Sequence, residues 1–252
     1  MVAHRVFIFR QLFEPVSCTY SYIVGCSASK KAVIIDPVLE MVERDTKLIT
    51  QLGLDLVYGI NTHIHADHVT ATGELKNHFP SMHSVINENA DGKADIFVGN
   101  NDVICFGNGR LEVRTTPGHT TGCTTFVNHQ HRLAFTGDTL LIRGCGRTDF
   151  QGGSPKMLYE SVHNSIFSLP DDYLIYPGHD YSGQTVTSVG EEKQFNPRLN
   201  SGEQHFIDIM KNLKLPHPRM IERAVPANKV CGVYELMDEK LKKEICNKAK
   251  AA

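Results

Sequence analysis

The chain has no Cys-x-x-Cys pair, no long apolar run, no internal repeat and no excess of charge of either sign. Each absence removes a class of protein. The seven cysteines are scattered at positions 18, 26, 105, 123, 145, 231 and 246, an odd number without paired spacing. This argues against a disulfide framework or a thiolate zinc site and fits a reducing compartment. A formal net charge of −2 gives no reason to expect nucleic acid or an anionic membrane as a partner. A membrane span needs about 20 apolar residues in a row, and none occurs. Without repeats or low-complexity linkers, the chain reads as one globular unit.

What is present suits that reading. The 252 residues are 41% apolar and 21% charged, enough for one large α/β domain or two small ones with a buried core. Arg5 and Arg10, with no acid before Glu14, give the N-terminus a charge pattern shared with transit peptides. Val6–Phe9 reads instead as a first strand, in a segment too short for a removable leader. Strand-like runs follow at Tyr20–Gly25 and Ala32–Ile35, the second ending in Asp36-Pro37. Leu39, Val42, Leu48, Ile49 and Leu52 predict a helix from Leu39 to Leu52, stopped by Gly53. Leu54, Leu56, Tyr58 and Ile60 then alternate as a strand does. Short strands are predicted around His83–Ile86, Ile96–Val98, Leu111–Thr115, Thr124–Val127 and Arg132–Phe135, the last two joined by a hairpin turn at Asn128–His131. Ser154-Pro155 opens a helix with Leu158, Val162 and Ile166 on one face. Tyr173–Tyr176 reads as a strand, and Ser201 with Gln204 as a capping box ahead of Phe206, Ile209, Met210 and Leu213. The expected organisation is one domain over 1–232 with strands first and helices interleaved. A Lys- and Glu-rich tail over 233–252 is expected to be a surface helix or disordered.

Thirteen histidines are many for this length, and their placement is informative. After the Leu54–Ile60 strand comes Thr62-His63-Ile64-His65-Ala66-Asp67-His68. Imidazole and carboxylate together suit a borderline or hard divalent metal such as zinc, iron or manganese. In a regular strand His63 and His65 would share a face, but Asp67 and His68 could not both join them. The segment must leave the strand and curl around a point. Four such residues crowded together would repel or compete without a cation.

Three later segments repeat the layout: Thr116-Pro117-Gly118-His119, Thr136-Gly137-Asp138 and Pro177-Gly178-His179-Asp180. In each a strand ends, a glycine permits a tight turn, and a His or Asp is presented at the strand's C-terminal edge. A lone Gly-His is more often a turn than a ligand. The agreement of all three with the first cluster is what gives them weight.

Asp36 followed by His63/His65/Asp67/His68, His119, Asp138 and His179, in that order, closely resembles the metallo-β-lactamase superfamily over about residues 20–180. The resemblance implies an α/β fold, a four-layer αββα sandwich with the metal site at one edge of the two sheets. It does not fix the reaction, since the superfamily hosts hydrolases, nucleases and oxidoreductases. The run Arg143-Gly144-Cys145-Gly146-Arg147-Thr148-Asp149-Phe150-Gln151-Gly152-Gly153 is similar to the signature of the persulfide (sulfur) dioxygenase family. Asn196-Pro197-Arg198 and Ala224-Val225-Pro226-Ala227-Asn228 are similar to that family too. Type-two glyoxalases, which hydrolyse hydroxyacyl-glutathione with two metals, usually carry a Lys-Phe-Phe-Glu-type sequence where this chain has Arg147–Phe150.

The resemblance implies one Fe(2+) per chain held by His63, His119 and Asp138, a two-His, one-carboxylate set that leaves three positions open. It implies oxidation of glutathione persulfide with O2 and water to sulfite and glutathione. In dinuclear relatives His65 would join the first metal, and Asp67, His68 and His179 would hold a second. Here these four are expected to orient ligands and metal-bound water, with a second metal left open. Arg147 and Arg198 are candidates for the carboxylates of glutathione, Asp180 for its ammonium and Tyr181 for a hydrogen bond. Asp36 is expected to hold the metal loop. Cys145 reads either as an oxidisable thiol or as a small buried residue. The rival reading is a thiolester hydrolase with a dinuclear zinc or mixed-metal site; a non-catalytic binding protein fits poorly with so complete a ligand set. Resemblance to eukaryotic members points to the mitochondrial matrix, with the cytosol as the alternative, and leaves a homodimer open.

Overall fold

The strand β2 (Thr19–Cys26) is buried at every position. A strand with no solvated face must lie between packed layers, and its period of two divides its side chains between them. Tyr20, Tyr22 and Val24 point into a core shared with Phe106, Phe126 and Phe135. Ile23 points the other way, against Val42, Ile49 and Leu75 of covering helices.

The structure is a computed structural model in which residues 7–233 are described. One six-stranded sheet runs, in spatial order, β1 (Phe7–Glu14), β2, β3 (Lys31–Ile35), β4 (Asp55–Ile60), β5 (His83–Asn87) and β6 (Ile96–Val98). Its first three strands are antiparallel and the rest continue in parallel. The other contains β7 (Val103–Phe106), β8 (Gly109–Thr115), β9 (Thr124–Asn128), β10 (Leu133–Gly137), β11 (Leu174–Pro177) and β12 (Thr187–Ser188). Its spatial order is β12-β11-β10-β9-β8-β7, with β10 and β11 parallel and the remaining pairs antiparallel.

Helices α1 (Val42–Gln51) and α2 (Thr72–His78) cover the outside of the first sheet. On the outside of the second, Leu158 of α3 (Pro155–Ser161), Val189 of α4 (Val189–Phe195), and Phe206 and Met210 of α5 (Glu203–Asn212) pack on Val127, Ala134 and Ile175. α6 (Ile221–Lys229) brings Ala227 against Val69, beside the histidine-rich loop. The result is the expected αββα sandwich. Backbone bonds join the two sheets at one edge: Tyr20 N donates to Gly178 O at 2.8 Å, and Thr124 N to Thr62 O at 3.0 Å. That edge carries the clustered His and Asp residues. Among the described residues no helix is long and apolar enough to cross a membrane.

Most predicted elements are found within a few residues of their expected ends, and the differences have local causes. The predicted capping box at Ser201 and Gln204 does not form. Gly202, at φ 90°, is the residue preceding α5, and the Ser201 hydroxyl turns to Asn200 instead. A capping box is found one helix earlier, where Ser188 and Glu191 bond reciprocally at the start of α4. The helix opened by Ser154 is regular only to Ser161. Residues Val162–Ile166 then widen into a π turn, with Phe167 N reaching back to Val162 O, yet Leu158, Val162 and Ile166 still share one core. Elements β7, β12, α2, α4 and α6 were not foreseen. The charged tail lies, beyond Val233, outside the described residues, as does Val6 of the predicted first strand.

Candidate metal centre

The loop after β4 is shaped by one carboxylate. Asp36, at φ 49°, sits in the left-handed region that few non-glycine residues adopt. It accepts from Thr62 N at 2.7 Å and Thr62 Oγ1 at 2.8 Å, and lies 3.0 Å from His65 Nε2. An ionised carboxylate only accepts, so His65 Nε2–H donates and Nδ1 keeps its lone pair. The Thr62 hydroxyl has one proton, given to Asp36, so at 2.9 Å from His63 Nδ1 it accepts. His63 therefore presents Nε2. The expectation that Asp36 holds the metal loop is met, and its reach extends to the tautomers of both histidines.

Asn228 of α6 holds the same loop from the other side. Its amide nitrogen donates to His65 O at 2.9 Å and His68 O at 2.8 Å, and its oxygen accepts from Thr70 N at 2.8 Å. Gln151 adds a bond to Ile64 O at 2.9 Å.

His119 leaves the end of β8, and its Nδ1 lies 2.6 Å from the carbonyl oxygen of Arg147. A carbonyl only accepts, so Nδ1–H donates and Nε2 is free. That nitrogen lies 3.5 Å from Asp138 Oδ2, while Asp138 Oδ1 lies 3.5 Å from His179 Nε2. Asp138 thus stands between the two sides of the site. Two glycines permit this crowding. Gly137 turns the chain at φ 50°, where a Cβ would meet Thr62 Oγ1 at 2.5 Å. Gly146 N donates to Asp138 O at 2.7 Å, and a Cβ there would lie 2.4 Å from that oxygen and 2.9 Å from the His119 ring.

Two donor groups result, each with its atoms within 4.8 Å of one another: His63, His119 and Asp138, and His65, Asp67 and His179. His65 falls in the second group, and its ring also lies beside that of His63, with centroids 4.1 Å apart. His68 flanks that second group, bonded through Nδ1 to Asp67 at 2.9 Å. His65 Nδ1, His68 Nε2 and Asp138 Oδ1 are buried and lack a hydrogen-bond partner among the described residues. Each such group costs about 1–3 kcal/mol if left unpaired. Unpaired lone pairs on oriented imidazoles and carboxylates fit a divalent cation.

The electrostatics agree for His63 and His65, whereas at His179 they favour the protonated ring, whose proton a cation would have to displace. Burial, and then His65, push His63 well below the ordinary histidine value; burial and His68 do the same to His65. Both are held neutral, the form that ligates. Burial would raise Asp67, but His179 and His68 hold its carboxyl well below the usual range. Burial would lower His179, but Asp138 and Asp67 outweigh it and push it up to about 9.

A cavity of about 550 Å³ opens over His119, Asp138 and His179. Arg147, Arg198, Asp180 and Tyr181 all line it, but they are not equally free. The Arg147 fork is held by both oxygens of Asp149, at 2.6 and 2.7 Å, and by Pro216 O at 2.8 Å. Asp180 accepts from Ser182 N, Ser182 Oγ and Gln184 N, closing its own loop. Tyr181 is 74% exposed and stacks on His179 with ring centroids 6.0 Å apart. Arg198 has one nitrogen on Cys145 O at 3.1 Å and the rest of its guanidinium without a strong partner among the described residues. The Cys145 thiol is buried against Met210 and pushed up to about 11 by burial, which matches its reading as a small buried residue.

Sequence reasoning missed the roles of Thr62, Asn228 and the Arg147 carbonyl. Thr62 could have been suspected from its place in the histidine cluster. Asn228 was noticed in a motif, but its partners lie about 160 residues away along the chain.

The model of the metallo-beta-lactamase superfamily matches residues 15–179. The chain is 55% identical over 226 residues to "Persulfide dioxygenase ETHE1, mitochondrial" of Mus musculus, covering 90% of this chain and 89% of that protein. It is 35% identical to the hydroxyacylglutathione hydrolase GloC of Haemophilus influenzae, over 68% of this chain and 89% of that one. The crystal structure of ETHE1 from Myxococcus xanthus superposes with a TM-score of 0.87 at 46% identity, covering 89% of this chain and 99% of that one.

Proposed function

Since the chain belongs to the persulfide dioxygenase family of the metallo-β-lactamase superfamily, we propose that it converts glutathione persulfide, O2 and water to glutathione, sulfite and two protons, using one Fe(2+). The observation that carries this reading is the group His63, His119 and Asp138, whose two imidazoles have their free nitrogens set by Thr62 and by the Arg147 carbonyl. Three protein donors leave positions for substrate and gas. Iron, when bound, supplies the one-electron chemistry that lets dioxygen attack the outer persulfide sulfur.

The chain's own residues do the rest. Asp36, Thr62 and Arg147 fix the histidine tautomers, which removes reorganisation at the moment of reaction. Arg198 offers a guanidinium to a glutathione carboxylate from the cavity wall, since only its Nη1 is engaged, on Cys145 O, among the described residues. Arg147 can take that role only by exchanging Asp149 for the substrate. Asp180 acts through its loop, which carries Tyr181 to the cavity mouth, rather than by meeting the ammonium directly. The domain spans 1–232. The matrix of the mitochondrion is the proposed compartment, in line with the mouse relative's designation, with the cytosol as the alternative.

Anaerobic purification with metal counting, followed by an oxygen-electrode assay on glutathione persulfide, tests the proposal. One iron per chain with oxygen uptake and sulfite formation is expected. The second donor group, His65, Asp67 and His179, favours a second reading, a dinuclear hydroxyacylglutathione hydrolase. Two metals per chain with thiolester hydrolysis and no oxygen uptake would replace the first reading with that one.

A further inference from the structure

Residues 213–218, between α5 and α6, carry no regular structure, and Leu215, Pro216 and Pro218 form one wall of the cavity. Two contacts tie the middle of this segment to the body. Pro216 O accepts from Arg147 Nη1 at 2.8 Å, and the His217 ring meets the Phe150 ring edge-on with centroids 5.2 Å apart. Both anchors come from the Arg143–Gly153 segment, and Arg147 depends on a third residue for its pose. Asp149 grips its Nε and Nη2 with both carboxylate oxygens, and the guanidinium lies 4.6 Å over the Phe150 ring.

Exposed ion pairs usually contribute little. This one differs in geometry. A bidentate fork fixes the plane of the guanidinium, and stacking on Phe150 fixes its height, so Nη1 is left aimed at a single carbonyl. We propose that Asp149 is a positioning residue: through Arg147 it latches residues 213–218 as the movable wall of the substrate cavity, and so sets the affinity for the thiol tripeptide. The backbone of Arg147 reaches the metal side through His119, and its side chain reaches the wall, so one residue ties both together.

The inference rests on the persulfide reading for its substrate but not for its latch, and the test separates the two. Lys214 and Arg219 lie in and beside the segment and are exposed, so trypsin reports its opening without any substrate. Asp149→Asn should speed nicking at these two sites several-fold. It should raise KM for glutathione persulfide about fivefold, the factor that losing one such contact represents, with kcat and iron content within about twofold of the parent. Asp149→Glu, which keeps the charge and the fork, should recover most of both. Phe150→Leu removes the stacking surface and the edge contact, and should move both readouts the same way if Asp149→Asn fails to fold. Unchanged nicking in both Asp149→Asn and Phe150→Leu would overturn the latch, and so would faster nicking with an unchanged KM. A parent chain inert to persulfide would sink the activity instead, and nicking would still decide the latch.

Discussion

Asp36 Oδ1 lies 3.0 Å from His65 Nε2, and the same carboxylate holds the Thr62 hydroxyl that faces His63 Nδ1. One buried residue thus sets which nitrogen each of two histidines leaves free for a metal. Thr62→Val should remove the acceptor for His63 Nδ1–H and weaken metal binding about 10–100-fold, the usual loss when a ligand's hydrogen-bond partner is removed. Thr62→Ser should keep it. Competition against a graded chelator measures the difference, and equal affinities for Val and Ser would break the tautomer argument.

In the proposed centre, His119 is a donor itself rather than a support. His119→Ala should lose more than that ~10–100-fold, leaving the purified chain with little iron and no oxygen uptake. Full activity with full metal content would remove His119 from the ligand set.

Arg147 separates into two functions. Its carbonyl orients His119 whatever side chain it carries, while its guanidinium holds Pro216. Arg147→Ala should therefore keep iron but raise KM for glutathione persulfide by about 5–10-fold, corresponding to ~1 kcal/mol or slightly more. An unchanged KM would remove the side chain from the cavity's function.

Asn228→Ala leaves His65 O, His68 O and Thr70 N without their partner in a buried place. The expected cost is about 3 kcal/mol, as a few unpaired groups imply. For a domain of this size that corresponds to a fall in Tm of roughly 6–12 °C, read by thermal melting. A fall of under about 2 °C would mean that water replaces the amide.

Glu14 predicts an acid-dependent loss of stability. Burial would raise its carboxyl, but bonds from the Ser17 hydroxyl, Ser17 N and Val16 N outweigh burial and hold it below the ordinary 4.5. A carboxyl lowered in the folded state stabilises it fully above the unfolded value, and loses that stabilisation as pH falls through the folded one. Glu14→Gln should therefore be less stable than the parent at pH 7, and the gap should close below pH 4.5. Denaturant melts across that range measure it. A gap that is the same at every pH would show the effect to be packing alone.

The sequence made the candidate ligands legible because they come at strand ends, each beside a glycine or within one dense cluster. Such signals are local in the chain. Elements α4 and α6 were not legible because their helical stripes are short and interrupted. Pro226 lies inside α6, and buried Glu192 and Asn228 have polar partners that only the fold supplies. The Ser201 misreading has the same root: the motif was present, but Gly202 took the position that would have made it a cap.

By itself, the order of residues determined that imidazole and carboxylate groups suited to a metal would gather at the edge of a strand-rich sandwich, since they follow strand ends that the chain repeats. Only the tertiary structure decided that His65 bonds Asp36 through Nε2, that Arg147 serves His119 through its carbonyl, and that its guanidinium is already gripped by Asp149. Those outcomes depend on hydrogen bonds whose partners come from other segments, and a lone pair's direction is fixed by what it meets in space.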